Sequence, residues 1–531
     1  MTHEESKFPY EILLNKYIEL LAKVANLEEQ LEKAKKMLFG KRSEKSKNIF
    51  NDRQLMFDGF QKLYDTSSDT EEIEDSAEES APKKSKKTGE HRGRNELRGD
   101  LEIEEVLWTL PEDQQICQVC GDKLVPFAKK HITTRIKIIP ERIFQVRYFR
   151  QLYKCVNCDK NGIKSNIQKA PDLTPAPVIQ KGLPEAEMIA YVADSKFTLG
   201  EPLYRMEQHF KMQGLYLSRT TMANWLIKSS KWLKPVISRF WEYAYSEPVL
   251  NADETTFRVL NIDGKPIDKM GQMWVVCTGK VAERKIALYT YRNNRTKSTA
   301  EELLGNYTGI VQTDGYQGYG SGKYRHAGCW AHARRKFVDS IPPGDVTESK
   351  AAIAVKLLDQ VAALEGMARK EHYSSEQLLE LRQKAEKPIL EKFYDFISEL
   401  RPSKGSHLGT AIRYAKKQKE KLMMFLEYPE VEMTNNLAER TVKPFVIDRK
   451  NFLFSASDKG AEATARFMSL IETAKRNGLN IFGYLTHLMK TLPAWGENPT
   501  EEQIDSIMPW STELPKSCFK IYHQIVENEI G

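Results

Sequence analysis

Three acidic residues far apart in the chain each stand in a setting suited to chemistry. Asp253 lies in Val249-Leu250-Asn251-Ala252-Asp253-Glu254-Thr255-Thr256. Asp314 lies in Gly309-Ile310-Val311-Gln312-Thr313-Asp314-Gly315-Tyr316, and Glu439 in Asn435-Asn436-Leu437-Ala438-Glu439-Arg440. The first two close short apolar runs that read as buried strands, and the third sits on an amphipathic helix. A carboxylate at the tip of a buried strand is costly unless something pairs with it. Two such groups side by side repel, and one stays protonated unless a cation binds. Three converging carboxylates would hold two hard divalent cations, Mg²⁺ or Mn²⁺, which take oxygen ligands. Such a pair activates a water and stabilises a leaving oxygen at a phosphodiester.

The elements that must bring these acids together follow from the patterning. Strands are expected over Val249 to Val259, Gln272 to Thr278, Lys285 to Tyr291 and Gly309 to Thr313, with a glycine turn at Asn261-Ile262-Asp263-Gly264 joining the first two. A helix is expected from Ser298 to Asn306, then a short strand from Tyr324 to Cys329 and a helix from Ala331 to Phe337. Three antiparallel strands, a helix and a parallel strand form an RNase H-like order, in which strands one and four are neighbours and place Asp253 beside Asp314. Helical patterns over Ser349 to Lys370, Ser375 to Leu400 and Leu408 to Leu426 read as an insertion between the second and third acids. Asn435 and Asn436 either cap the helix of Glu439 or bind phosphates. Arg440, Lys443, Arg449 and Lys450 form a candidate phosphate clamp. Cys329-Trp330-Ala331-His332 shows two possible metal ligands, but packing against the core is the expectation, with Arg334, Arg335 and Lys336 facing DNA. Glu254 is expected on the opposite sheet face from Asp253. Glu432 and Asp448 are expected to be solvated or ion-paired.

Upstream, Cys117-Gln118-Val119-Cys120-Gly121 and Cys155-Val156-Asn157-Cys158 are knuckles with zinc-ligand spacing. Alternating residues from Thr133 to Lys154 read as two strands between them. A zinc-ribbon-like module with four thiolates on Zn²⁺ is expected, the alternatives being structural thiols or a redox pair. From Pro184 to Lys234 the pattern is helix, glycine turn, Ser218-capped helix, the cadence of a helix-turn-helix. Arg219, Thr220, Thr221 and Asn224 would then meet DNA. Near the start, Leu13, Tyr17, Leu20, Val24, Leu27, Leu31, Ala34 and Leu38 form a heptad seam, so a coiled-coil helix and a homo-oligomer are expected.

At 531 residues the chain is too long for one core, and its net charge of +7 is only mildly basic. No basic segment followed by an apolar one opens it, and no run reaches the roughly 18 apolar residues of a membrane span. A cytoplasmic protein without membrane contact is expected. The seven cysteines, four of them in close pairs, suit a metal site rather than a disulfide framework. The expected fold is multidomain α/β. It comprises a coiled-coil helix (1–48), a charged linker (49–100), a four-cysteine zinc-binding domain (101–170) and a helix-turn-helix-like domain (171–240). An RNase H-like core (241–340) follows, then its helical insertion (341–430), the second part of the core with Glu439 (431–485) and a tail (486–531).

Several strings resemble those of the insertion-sequence-66 family of DDE transposases. They are Leu38-Phe39-Gly40-Lys41-Arg42-Ser43-Glu44, the two knuckles, Ala252-Asp253-Glu254-Thr255, Thr313-Asp314-Gly315-Tyr316, Asn436-Leu437-Ala438-Glu439-Arg440 and Arg449-Lys450-Asn451-Phe452-Leu453-Phe454. Ile471-Glu472-Thr473-Ala474-Lys475 continues the match. The strings span nearly the whole chain in the family's order. The resemblance implies that Asp253, Asp314 and Glu439 are the catalytic triad, that the partners are double-stranded terminal inverted repeats and target DNA, and that small accessory proteins of the same element take part. A noncatalytic zinc-containing DNA-binding regulator would suit the N-terminal half equally well, and a metal-dependent nuclease outside transposition would share the triad.

Overall fold

The computed structural model describes residues 143, 145–149, 152–153, 168–169, 174–266, 270–320, 322–342 and 348–520. The expected coiled-coil helix, the charged linker and Cys117, Cys120, Cys155 and Cys158 lie outside the described residues. The described residues belong to two units. In the smaller one, Leu152–Tyr153 pairs antiparallel with Gln168–Lys169. Of the two strands expected between Thr133 and Lys154, this is the one found among the described residues, and its partner comes from beyond the second knuckle.

The larger unit covers 176–519. It opens with α1 (Ala186–Phe197), α2 (Leu203–Met212), α3 (Arg219–Ser229) and α4 (Lys234–Ser246). Gly214 turns the chain between α2 and α3 at a φ of +84°, a conformation that favours glycine. Ser218 caps α3 as expected, its hydroxyl accepting the Thr221 N–H at 3.2 Å.

Five strands follow: β1 (Val249–Arg258), β2 (Met270–Thr278), β3 (Ala287–Arg292), β4 (Ile310–Gln312) and β5 (Arg325–Ala327). Their order is β3-β2-β1-β4-β5. The first three are antiparallel neighbours, whereas β4 runs parallel to β1 and β5 to β4. The expected turn survives as a ribbon, Asn261–Ile262 against Lys265–Pro266, with Asp263 and Gly264 both at positive φ. Residues Met273–Thr278 are buried on both faces of the sheet, which is why β2 reads as an unbroken apolar run. The helix α5 (Lys297–Leu304) links β3 to β4.

After β5 the chain enters α6 (Trp330–Val338), then α7 (Lys350–Lys370), α8 (Ser375–Leu381), a π-helical turn (Arg382–Glu386), α9 (Lys387–Glu399), α10 (His407–Lys417) and α11 (Lys419–Met423). The single helix expected from Ser375 to Leu400 is thus interrupted by the π turn. These helices bury a cluster of their own with α6, around Trp330, Phe337, Leu358 and Phe393. The chain returns in α12 (Asn436–Phe452), α13 (Asp458–Arg476), α14 (Ile481–Trp495) and α15 (Glu501–Ser506). A second cluster joins α1–α4 to the sheet, α13 and α14. On the edge strand β3, the N–H groups of Ala287 and Tyr289 donate to Thr473 Oγ1 at 3.0 Å and Ser469 Oγ at 2.8 Å. Hydroxyls of α13 therefore satisfy an edge that would otherwise be open to another strand.

Candidate active site

The strand register sets the first two acids level. Asn251 of β1 pairs with Gln312 of the parallel strand β4, and both strands point the same way. Asp253 and Asp314 each lie two residues further on, so they stand side by side where the strands part. Asp253 Oδ1 accepts the Glu254 N–H at 2.8 Å, and Asp314 Oδ1 accepts the Tyr316 N–H at 2.8 Å.

The third acid is delivered by a ladder of buried amides. Asn251 Nδ2 donates to Gln312 Oε1 at 3.0 Å and to Asn435 Oδ1 at 2.9 Å. Asn435 Nδ2 donates onward to the Ala252 carbonyl at 2.9 Å. The start of α12 is thereby tied to β1 one residue before Asp253, and Glu439 enters one turn later. Asn435 and Asn436 are each 1% exposed, which corrects the expectation that they cap the helix or meet phosphate: the Asn435 side chain makes no cap and binds β1. Its value lies in satisfying two buried polar groups of β1 at once, Asn251 Nδ2 and the Ala252 carbonyl. Nothing in the local sequence distinguished that role from a cap.

The three carboxylates feel one another's charge. Burial, then the charge of Glu254, then those of Glu439 and Asp314 push the Asp253 carboxyl up to about 7. Burial also raises Glu439, against the pull of His332, Arg335 and Arg440 and with a push from Asp314. All three side chains are half-buried, as an approachable site requires.

A second set of residues, not foreseen, braces the Asp314 loop. Glu254 is buried (2% side-chain exposure) and pairs with Arg295 and the Tyr319 hydroxyl. The Arg295 guanidinium lies 3.8 Å from the Tyr316 ring centre, and the Tyr316 hydroxyl donates to the Arg295 carbonyl at 2.7 Å. The residue after Asp253 thus reaches, through one arginine, the residue two beyond Asp314. Across the loop, Gly315 lies so close to Tyr414 of α10 that a Cβ there would collide with the ring. The insertion therefore abuts the site directly.

The expected DNA-facing residues divide. Arg219, Thr220 and Asn224 are exposed on the first turns of α3, and Thr221 is half-exposed there. Trp225 packs against the core from the same helix. Arg335, Arg440, Lys443 and Lys450 are exposed. Arg334 is not: it is 2% exposed and pairs with Asp359 at 2.7 Å, so it holds α6 to α7. Arg449 is engaged as well, donating to the hydroxyls of Thr255 at 2.9 Å and Thr256 at 3.0 Å and clipping α12 to β1. Glu432 faces Arg369 at 3.8 Å, an ion pair as expected. Asp448 is buried rather than solvated. Burial pushes its carboxyl up to about 7 against the pull of Lys475 and Lys196. Cys329 and His332 do pack on the core, and they also meet Glu439, with His332 Nδ1 3.7 Å from Glu439 Oε1. Burial pulls the His332 imidazolium down, but Cys329, Glu439 and Asp314 outweigh it and raise the group to about 9.

Sheet order and site together define a mixed α/β protein with an acidic cluster beside the middle of β1 and just past the end of β4, its parallel neighbour. Residues 181–463 match the model described as Transposase IS66 family. That span covers more than half of the chain and all three acids, and the chain belongs to the IS66 transposase family. Residues 26–106 match the model described as Transposase C of IS166 homeodomain, and residues 469–510 the IS66 C-terminal element. Among curated relatives, uncharacterized protein y4jD of Sinorhizobium fredii is 29% identical over 417 residues, covering 75% of this chain and 78% of the relative. Uncharacterized protein y4qI of the same organism is 28% identical over 508 residues, covering 92% and 89%. Among solved structures, the Drosophila P element transposase strand transfer complex is similar at 12% identity and a TM-score of 0.30, covering 59% of this chain and 94% of that one. That likeness is too slight to bear on the fold. Among the described residues, no helix is long and apolar enough to cross a membrane.

Proposed function

We propose that the chain is a DDE transposase with an RNase H-like core. In this reading it binds the terminal inverted repeats of a mobile element, cleaves at the element end, and joins the freed 3′ hydroxyl to target DNA by metal-dependent phosphoryl transfer. The observation that carries the reading is that Asp253 of β1 and Asp314, just past the end of the parallel strand β4, lie at one level, with Glu439 brought toward them by the Asn435 ladder.

The residues suit divalent cations. The donor set is all carboxylate oxygen, the preference of Mg²⁺ and Mn²⁺. Burial first, then the charge of Glu254 and those of Glu439 and Asp314, raise Asp253 to about 7, a cost that bound cations would offset. Asn436, one turn before Glu439, has both amide atoms buried without a hydrogen-bond partner. Asp253, Asp314 and Glu439 would hold the metal, which when bound lowers the pKa of an attacking water and stabilises the leaving oxygen. The chain itself supplies position and charge. Arg335 and Arg440, close enough to pull on Glu439, would neutralise phosphate oxygens at the rim. Lys443 and Lys450 extend that charge along α12. The exposed first turns of α3 would bring Arg219, Thr220, Thr221 and Asn224 to a DNA groove. Cys117, Cys120, Cys155 and Cys158 would hold a structural zinc. Two element ends must be joined, which calls for a homo-oligomer, with small accessory proteins of the element as further partners.

The test is incubation of the full chain with duplex DNA carrying a candidate element end and Mg²⁺ or Mn²⁺. Wild type should nick at the terminus, and Asp253→Asn should bind the same DNA without cutting. Normal cutting by that variant would overturn the reading.

A further inference from the structure

One of the three acids also belongs to a second set of ligand types. Cys329 precedes α6 and His332 lies one turn into it, and both meet Glu439 from α12. Ligand atoms of the three lie within 4.8 Å of one another. His332 Nδ1 is already 3.7 Å from Glu439 Oε1, and it is buried without a hydrogen-bond partner. Leaving a buried ring nitrogen unpartnered costs free energy that a cation would recover. Cys329 is fully buried, and its Sγ accepts the Asn435 N–H at 3.1 Å. An N–H bond to sulfur is the kind of outer contact that steadies a metal-bound thiolate.

Thiolate, imidazole and carboxylate together make a poor site for Mg²⁺, which takes oxygen, and a good one for Zn²⁺. Zinc bonds of about 2.0–2.3 Å set neighbouring tetrahedral donors roughly 3.5 Å apart. The His332–Glu439 spacing is near that value, and the remaining spacings, all within 4.8 Å, need a contraction of at most about 1.3 Å, within the reach of side-chain rotation.

We propose that Cys329, His332 and Glu439 form a Zn²⁺ site that shares Glu439 with the Asp253–Asp314 pair, so that zinc occupancy takes the third carboxylate out of use. The site stands on its own geometry; the inhibitory consequence rests on the transposase reading. Binding displaces the protons of Cys329 and His332 into solvent and leaves the fourth tetrahedral position for water.

The full chain is equilibrated with Zn²⁺ by dialysis, and bound zinc is counted in wild type, Cys329→Ala and His332→Ala. Any zinc held by the paired-cysteine knuckles contributes equally to all three, so the difference is what is read. Each variant should bind one equivalent less than wild type. Equal zinc in wild type and His332→Ala overturns the site. His332, about one-third exposed (34% of its side chain), decides alone should Cys329→Ala lose its circular dichroism spectrum. In a second arm, Zn²⁺ is added to Mg²⁺-supported nicking. Zinc should suppress wild type and leave residual His332→Ala activity unaffected, and equal suppression of both overturns the shared-ligand role. A missing equivalent in a chain that never nicks DNA would uphold the zinc site while sinking the transposase reading.

Discussion

Asp253 and Asp314 stand at the same level, because Asn251 of β1 pairs with Gln312, the last residue of the parallel strand β4, and each acid lies two residues further along the chain. A register slip of one residue would send either side chain to the opposite face. The buried Asn251–Gln312 bond of 3.0 Å is therefore a lock on the site as well as on the sheet.

That lock extends to the third acid through Asn435. Asn435→Ala should destabilise the fold by about 2–3 kcal/mol, since it removes the buried bonds from Asn251 Nδ2 and to the Ala252 carbonyl. It should also lower DNA nicking more than DNA binding, because Glu439 loses its anchor. Chemical denaturation and a gel-shift assay beside a nicking assay check the two halves separately.

Divalent cation binding should weaken in acid. A carboxyl raised to about 7 must lose its proton before it can ligate, so apparent Mn²⁺ affinity should fall as pH drops below that value, by up to about tenfold per unit. Above pH 7 the metal should raise the melting temperature, and Asp253→Asn should abolish most of that gain. Thermal melts with and without Mn²⁺ at pH 6 and pH 8 would show it.

The buried Asp448 gives a pH signature away from the site. Its folded pKa of about 7 exceeds the ordinary 3.8, so between those values the native state keeps a proton that the unfolded chain has lost. Its stabilising contribution is whole below the ordinary range and is lost as pH rises through about 7. Asp448→Asn should flatten the decline of stability across that window, as read from denaturant midpoints at a series of pH values.

The insertion should depend on one buried ion pair. Arg382 donates to Glu365 at 2.5 Å and to the carbonyls of Phe425 at 2.6 Å and Tyr428 at 2.9 Å. Beside it, burial and the Glu365 charge hold Glu386 well above the usual carboxylate range. Arg382→Met should cost about 3–5 kcal/mol by leaving Glu365 uncompensated, and Arg382→Met with Glu365→Leu should recover most of it. Melting curves of the single and double variants decide.

The sequence by itself indicated the strands, the pairing of the first with the fourth, and the elements on which Asp253, Asp314 and Glu439 fall, because strand and helix periodicities and turn residues are local signals. It located the end of β4 before Asp314 and the helix carrying Glu439 to within a turn, but Asp253 lies in the middle of β1 rather than at its end. Tertiary structure alone decided what surrounds them. Asn435 could be read as a cap until the fold set it against Asn251 and Ala252, and Arg334 looked like a DNA contact until packing enclosed it with Asp359, while the half-buried Arg449 also binds the Thr255–Thr256 pair. Cys329 and His332 showed two ligands in sequence, and the third, Glu439, comes from a helix more than a hundred residues away. A polar side chain's role depends on which group the fold brings within about 3 Å of it, and local sequence does not contain that distance.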